Sequence, residues 1–173
     1  MRACNLVLLA ALFAACGSHG QPWTSPRWDE GVIVEKLKDE LPTKEMDITH
    51  FLWSHFFNKP ELDAFGSVTT TARWKEWLPL FEQGLIRKAQ KQSLDAESLR
   101  QCLIAVSNRI DRVAHLPVGA YATKQGDTPV WIIILKWEVA GSNTNHPPVP
   151  LEHTQAFAFD ARKRSVIGLT TCD

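Results

Sequence analysis

Apolar residues before Pro117 recur every three or four positions, whereas after it they alternate with polar ones, and this change of period divides the chain. The first part predicts helices and the second strands. Ile33, Val34, Leu37 and Leu41 form one helical stripe, with Ser25 as a fit N-cap, Pro26 in the first turn and Pro42 as the stop. A second helix is expected from Asp47 through Ile48, Phe51, Leu52 and Phe56. Trp53 and Phe57 add an adjacent i,i+4 pair, so this helix is apolar around most of its circumference. Trp74, Trp77, Leu78 and Phe81 share a third helical face, which Pro79 kinks or restarts. Ser93 is expected to open a long helix with Leu99, Cys102, Leu103, Val106, Ile110 and Val113 on one side.

The alternating part predicts two hairpins. Residues 117–123 and 130–139 flank the turn Lys124-Gln125-Gly126-Asp127, and residues 153–160 and 165–172 flank Ala161-Arg162-Lys163-Arg164. Trp131, Ile133, Leu135, Trp137 and Val139 line one face of the second strand, while Val130, Ile132 and Ile134 lead to Lys136 and Glu138 on the other. Burial on both faces for half its length marks a central strand whose charged end meets water. Small residues at Gly119, Ala120, Ala122, Ala156, Ala158 and Gly168 leave room for a close helix. Helices first and strands afterwards predict an α+β fold, with N-terminal helices packed on one face of a C-terminal four-stranded antiparallel sheet.

The N-terminus has the pattern of a processing signal. Leu6 to Ala15 is an apolar run of ten residues, half of the roughly 20 that span a bilayer. Phe13-Ala14-Ala15-Cys16 resembles the bacterial lipobox, with Phe13 where leucine is usual. The resemblance implies cleavage before Cys16, a lipid on that cysteine and a Gly17-Ser18-His19-Gly20 tether; ordinary cleavage after Gly20 is the alternative. Residues 1–20 are thus expected to be signal peptide and tether, and 21–173 a single α+β domain. Gly17 after the cysteine implies the periplasmic side of the outer membrane, with the protein held to the membrane through Cys16. Ordinary cleavage would make it secreted or soluble in the periplasm.

Export changes what the cysteines mean. Either cut leaves Cys102 and Cys172 in the folded domain, and in an oxidising compartment they are expected to form a disulfide. The loop so closed, about 70 residues, contributes on the order of 4 kcal/mol in the chain-entropy model. Nineteen acidic and nineteen basic residues balance, which leaves no global field to draw in nucleic acid.

Candidate chemistry is sparse. His50 and His55 are five residues apart, about 140° around a helix, so the two-histidine zinc spacing is absent and no metal site is expected. No nucleophile elbow, phosphate loop or dinucleotide fingerprint occurs, so neither catalytic residues nor a cofactor are assigned. Seven tryptophans are many for 173 residues, and Trp53, Phe57, Trp74 and Trp77 would form a binding surface if exposed. An uncapped edge strand would accept a partner's segment by β-augmentation. The expected role is non-catalytic binding or assembly in the bacterial cell envelope, with a protein, peptide or glycan ligand. The alternative is an envelope hydrolase near the 141–153 loop, which requires His146, Glu152, His153 and Glu138 to converge.

Overall fold

The computed structural model describes residues 31–57, 59, 62, 70–110, 113–139 and 149–172. Residues 1–20, with Cys16, lie outside them, as do His146 and most of the proline-rich loop. Among the described residues the fold is α+β: strand β1 (Ile33–Lys36), helices α1 (Glu45–Phe56), α2 (Trp74–Lys91) and α3 (Ala96–Arg109), then strands β2 (Ala114–Gln125), β3 (Thr128–Glu138), β4 (His153–Asp160) and β5 (Ser165–Cys172). The strands form one mixed sheet in the order β1-β2-β3-β4-β5, in which β1 runs parallel to β2 and the other pairs are antiparallel. The three helices therefore belong to the crossover that joins β1 to β2.

The expected four-stranded antiparallel sheet is corrected by β1. Val32, Ile33 and Val34 are consecutive β-branched residues, whose stiff χ1 favours a pleated strand. Val32 and Val34 are buried, and Leu37 and Leu41 continue from the strand with backbone bonds to Ala122 O (2.9 Å) and Lys124 O (2.8 Å). The three- and four-residue spacing of the apolar positions is coincidental to this extended path.

Helices on one face are also corrected, because β3 is buried on both sides from Val130 to Lys136. Register places Tyr121, Ile132, Ala158 and Gly168 on one face, and His115, Trp137 and His153 on the other. Helix α1 lies on the first face. Its Phe56 ring meets Tyr121 at 4.6 Å between centroids, and Ile48 sits so close over Gly168 that a Cβ there would run into Ile48 Cγ2. Helix α2 starts on the second face, where Trp74 meets His115 at 4.8 Å. Helix α3 packs beside α2, with Ser107 Oγ donating to Glu82 Oε1 at 3.3 Å.

Local details depart from the pattern in two helices. Pro79 lies within the continuous helix α2, one residue beyond its first turn and a half, where it forgoes the amide bond to the Lys75 carbonyl without ending the helix. Helix α3 is capped by Asp95, whose carboxylate accepts from Ser98 N at 2.9 Å. Ser93, the expected cap, instead takes a left-handed turn at φ 57°. Lys136, expected at the water end of β3, is only 3 % exposed, and its ammonium reaches Glu152 O at 3.5 Å.

Candidate functional site

The two edges of the sheet are finished differently. At β1 the outward carbonyls have donors from α2: Lys88 Nζ reaches Val32 O at 2.5 Å, and Gln92 Nε2 reaches Val34 O at 2.7 Å. A four-residue edge strand with the Val32 and Val34 carbonyls so occupied is a poor template for another chain. Strand β5 is twice as long. Ala161 N donates to Pro129 O at 2.9 Å, so alternation turns the backbone of Asp160, Ala158, Ala156 and Thr154 toward β5. Their partners on β5 point inward, which leaves Val166, Leu169 and Thr171 pointing outward. No hydrogen bond between described residues reaches those three backbones.

Beside that open edge runs a groove of about 710 Å³. Its floor is Ser165 to Leu169, with Glu45 of α1 on one side and Ala105 and Arg109 of α3 on the other. The two helices lie on opposite faces of the sheet, α1 packing its Ile48 on Gly168 of β5, and the groove lies between them along the last strand. A β-bulge in β5, where the register shifts opposite Ala158 and Phe159, bends the strand here. Leu169 is exposed and Val166 half-buried. Arg164 also lines the groove, and its backbone is left-handed at φ 56°, a conformation that costs a non-glycine residue about 1–2 kcal/mol. Neither the Arg109 nor the Arg164 guanidinium makes an ion pair or hydrogen bond among the described residues.

The expected aromatic surface is present only in part. Trp53 is 46 % exposed and stacks on half-buried Phe57 at 4.8 Å. Met46 continues the same outer side of α1 and is exposed. Trp74, by contrast, is buried, and Trp77 is half-buried under the Arg73 guanidinium at 5.8 Å. The four rings therefore do not make one platform.

Of the residues expected to converge for hydrolysis, two meet. His153 Nε2 lies 3.3 Å from Glu138 Oε2, and the His153 ring rests on Trp137 at 4.8 Å. Glu152 is exposed, and its backbone carbonyl rather than its carboxylate faces Lys136. One strand further in, His115 Nδ1 lies 2.8 Å from Val113 O. A carbonyl only accepts, so Nδ1 carries the proton and Nε2 is left as a bare acceptor. That Nε2 and the Nε1–H of its cross-strand neighbour Trp137 are both buried without a partner among the described residues. Burial holds the His115 pKa below its ordinary value, against the opposing effect of the Val113 hydrogen bond. Periodicity gives no sign of this row, since it depends on the register of three strands.

Of the two cysteines expected to form a bridge, Cys102 is a buried free thiol among the described residues. Burial pushes its pKa up to about 12, which makes it a poor nucleophile. The charges that act on it belong to Arg164, Asp95 and Asp160. Arg164 and Asp160 are at the turn end of the β4–β5 ribbon, whereas the Cys172 backbone pairs with Thr154 at the other end. The side chain of Cys172 lies outside the described residues.

Among the described residues no group of three metal-ligating side chains occurs, and no helix is long and apolar enough to cross a membrane. No family model, no curated protein and no solved structure matches the chain.

Proposed function

We propose that this chain is a non-catalytic binding or assembly protein of the bacterial cell envelope, exported, anchored through a lipid on Cys16, and taking up an extended segment of a partner as an added strand along β5. The observation that carries the binding role is the unpaired outward backbone of Val166, Leu169 and Thr171 beside an open groove. A strand laid there would gain main-chain hydrogen bonds from the edge and side-chain specificity from the groove walls.

A displayed library of random octapeptides, selected on the full chain and counter-selected on Leu169→Pro, tests this role. Proline at Leu169 removes an outward amide and leaves the inward ladder to β4 intact. Peptides that bind the wild-type chain but not the blocked variant are expected. Thr171→Pro serves as a second block if Leu169→Pro lowers stability. Failure to recover any β5-dependent peptide overturns the role. Anchoring has its own test, mass spectrometry of the native protein, in which a diacylglycerol adduct beginning at Cys16 is expected and a chain beginning at Gln21 contradicts it.

The hydrolase is the second possibility, and the contact between Glu138 and His153 speaks for it. What favours binding is the setting of that contact. The described neighbours of His153 are a carboxylate and an indole, and Cys102 lies by Asp160, seven residues along β4 from His153.

A further inference from the structure

We infer that the segment taken up along β5 is acidic: the groove selects an extended peptide that presents carboxylates to Arg109 and Arg164. The inference rests on the proposed docking edge and adds the chemistry of the partner.

Both arginines line the groove, and neither guanidinium makes an ion pair or hydrogen bond with a described residue. Some surface cations of the fold have carboxylate partners, as Arg73 with Glu76, Arg100 with Glu97, Lys124 with Glu40 and Lys163 with Asp160, and others such as Lys38, Lys44 and Lys91 have none among the described residues; what distinguishes Arg109 and Arg164 is that both line one groove. The single acid on the groove wall, Glu45, stands against two arginines, so the groove is net positive in a chain whose formal net charge is zero. Arginine is also the side chain best suited to a carboxylate, because its planar fork donates two parallel hydrogen bonds.

The position of Arg164 points the same way. It occupies a left-handed site that glycine or asparagine fills at less cost, and its charge stands at the edge where an added strand would begin or end. An added strand alternates its side chains between the α1 side and the α3 side of the sheet. Those directed toward α3 would meet Ala105, Val166, Leu169 and Arg109, so small or β-branched residues interspersed with glutamate or aspartate fit that wall.

The test uses three fluorescein-labelled, end-blocked octapeptides in which threonine alternates with glutamate, lysine or glutamine. Each is titrated with the full chain and followed by anisotropy at low and high salt. The glutamate probe is expected to bind at least tenfold more tightly than the lysine probe, with an advantage that shrinks as salt rises. Arg109→Gln with Arg164→Asn is expected to reduce that advantage to threefold or less. Both positions are exposed and asparagine tolerates the left-handed backbone, so this variant is expected to fold. Leu169→Pro is expected to abolish binding of every probe.

The outcomes separate the acidic preference from the docking edge. If the three probes bind alike and Leu169→Pro abolishes all of them, the acidic preference is overturned while the edge survives. Binding that persists in Leu169→Pro overturns both. Absence of binding by the glutamate probe overturns the inference. Concentration-dependent dimers of the chain that disappear in Leu169→Pro would assign the edge to a second copy, and overturn it as well.

Discussion

The sheet has one closed edge and one open one. Strand β1 is short, and its outward carbonyls accept from Lys88 and Gln92 of α2. Strand β5 has eight residues, three of them with outward backbone groups free of described partners, and although α1 packs on its Gly168, no hydrogen bond from a described helix reaches that edge. The same chain thus covers an edge at one side and leaves one uncovered at the other. An uncovered edge is a template for unwanted pairing, and its bulge and its left-handed arginine limit which strand can add there. Openness at β5 is a local property of the edge, not a shortage of core, since the strands behind it are buried on both faces.

The largest expected effect comes from opening the closed edge. Lys88→Met with Gln92→Leu removes both donors and leaves the carbonyls of Val32 and Val34 without side-chain partners, at a cost of about 1–3 kcal/mol for each buried group left unsatisfied. Urea unfolding is expected to show this loss, and sedimentation to show new self-association through β1. A stable, monomeric double variant would mean that these contacts do not close the edge.

Next in size is the support beneath the open edge. Gly168→Ala drives a methyl group into Ile48 and is expected to cost about 1–3 kcal/mol, as overpacking does. Ile48→Ala in the same chain is expected to return part of that loss, because it removes the obstructing methyl group. Additive losses in the double variant would contradict the close approach of α1 to β5.

A smaller effect separates the two edges by pH. His115 lies at the start of β2 under Trp74, on the side of the sheet that α2 covers. Its folded-state pKa is held below the ordinary value of about 6.5 by burial. The unfolded chain therefore binds the proton first as pH falls, and stability is expected to drop below about pH 6.5 until the folded-state pKa is also passed. His115→Phe is expected to flatten this slope, and amide exchange at pH 5 is expected to quicken in β1 and early β2 before β5. A slope unchanged in His115→Phe would assign the acid sensitivity to other groups.

The smallest expected effect is that of reductant. A Cys102–Cys172 bridge would tie α3 to the far end of β5 and constrain the open edge. With Cys102 a buried thiol whose pKa is raised to about 12, reduction is expected to leave mass and unfolding midpoint unchanged, and maleimide to label Cys102 only after unfolding. A mass gain of two hydrogens would instead show the bridge formed and require a different placement of α3.

The fold was legible where a single period dominated. Residues 153–160 and 165–172 are strands with the bounds that alternation predicts, because charged and turn-forming residues interrupt the apolar pattern at both ends. Helix α3 was likewise readable from its stripe of Leu99, Cys102, Leu103 and Val106. Strand β1 was not, because four apolar residues at helical spacing outweigh the local preference of Val32-Ile33-Val34 when no partner strand is known. The candidate site was legible only in outline. An uncapped edge and a nearby arginine turn are visible in the sequence, but which edge stays open depends on Lys88 and Gln92 reaching β1 across more than fifty residues. The burial of Lys136 and the row formed by His115, Trp137 and His153 depend in the same way on register across strands.

Hydrogen exchange of the full chain, with and without a saturating β5-selected octapeptide, is the most direct measurement. Slowed exchange confined to residues 165–172, strongest at Val166, Leu169 and Thr171 and absent from 33–36, is the predicted result. Protection elsewhere with none in β5, or equal protection at both edges, would contradict the assignment of the open edge as the docking site.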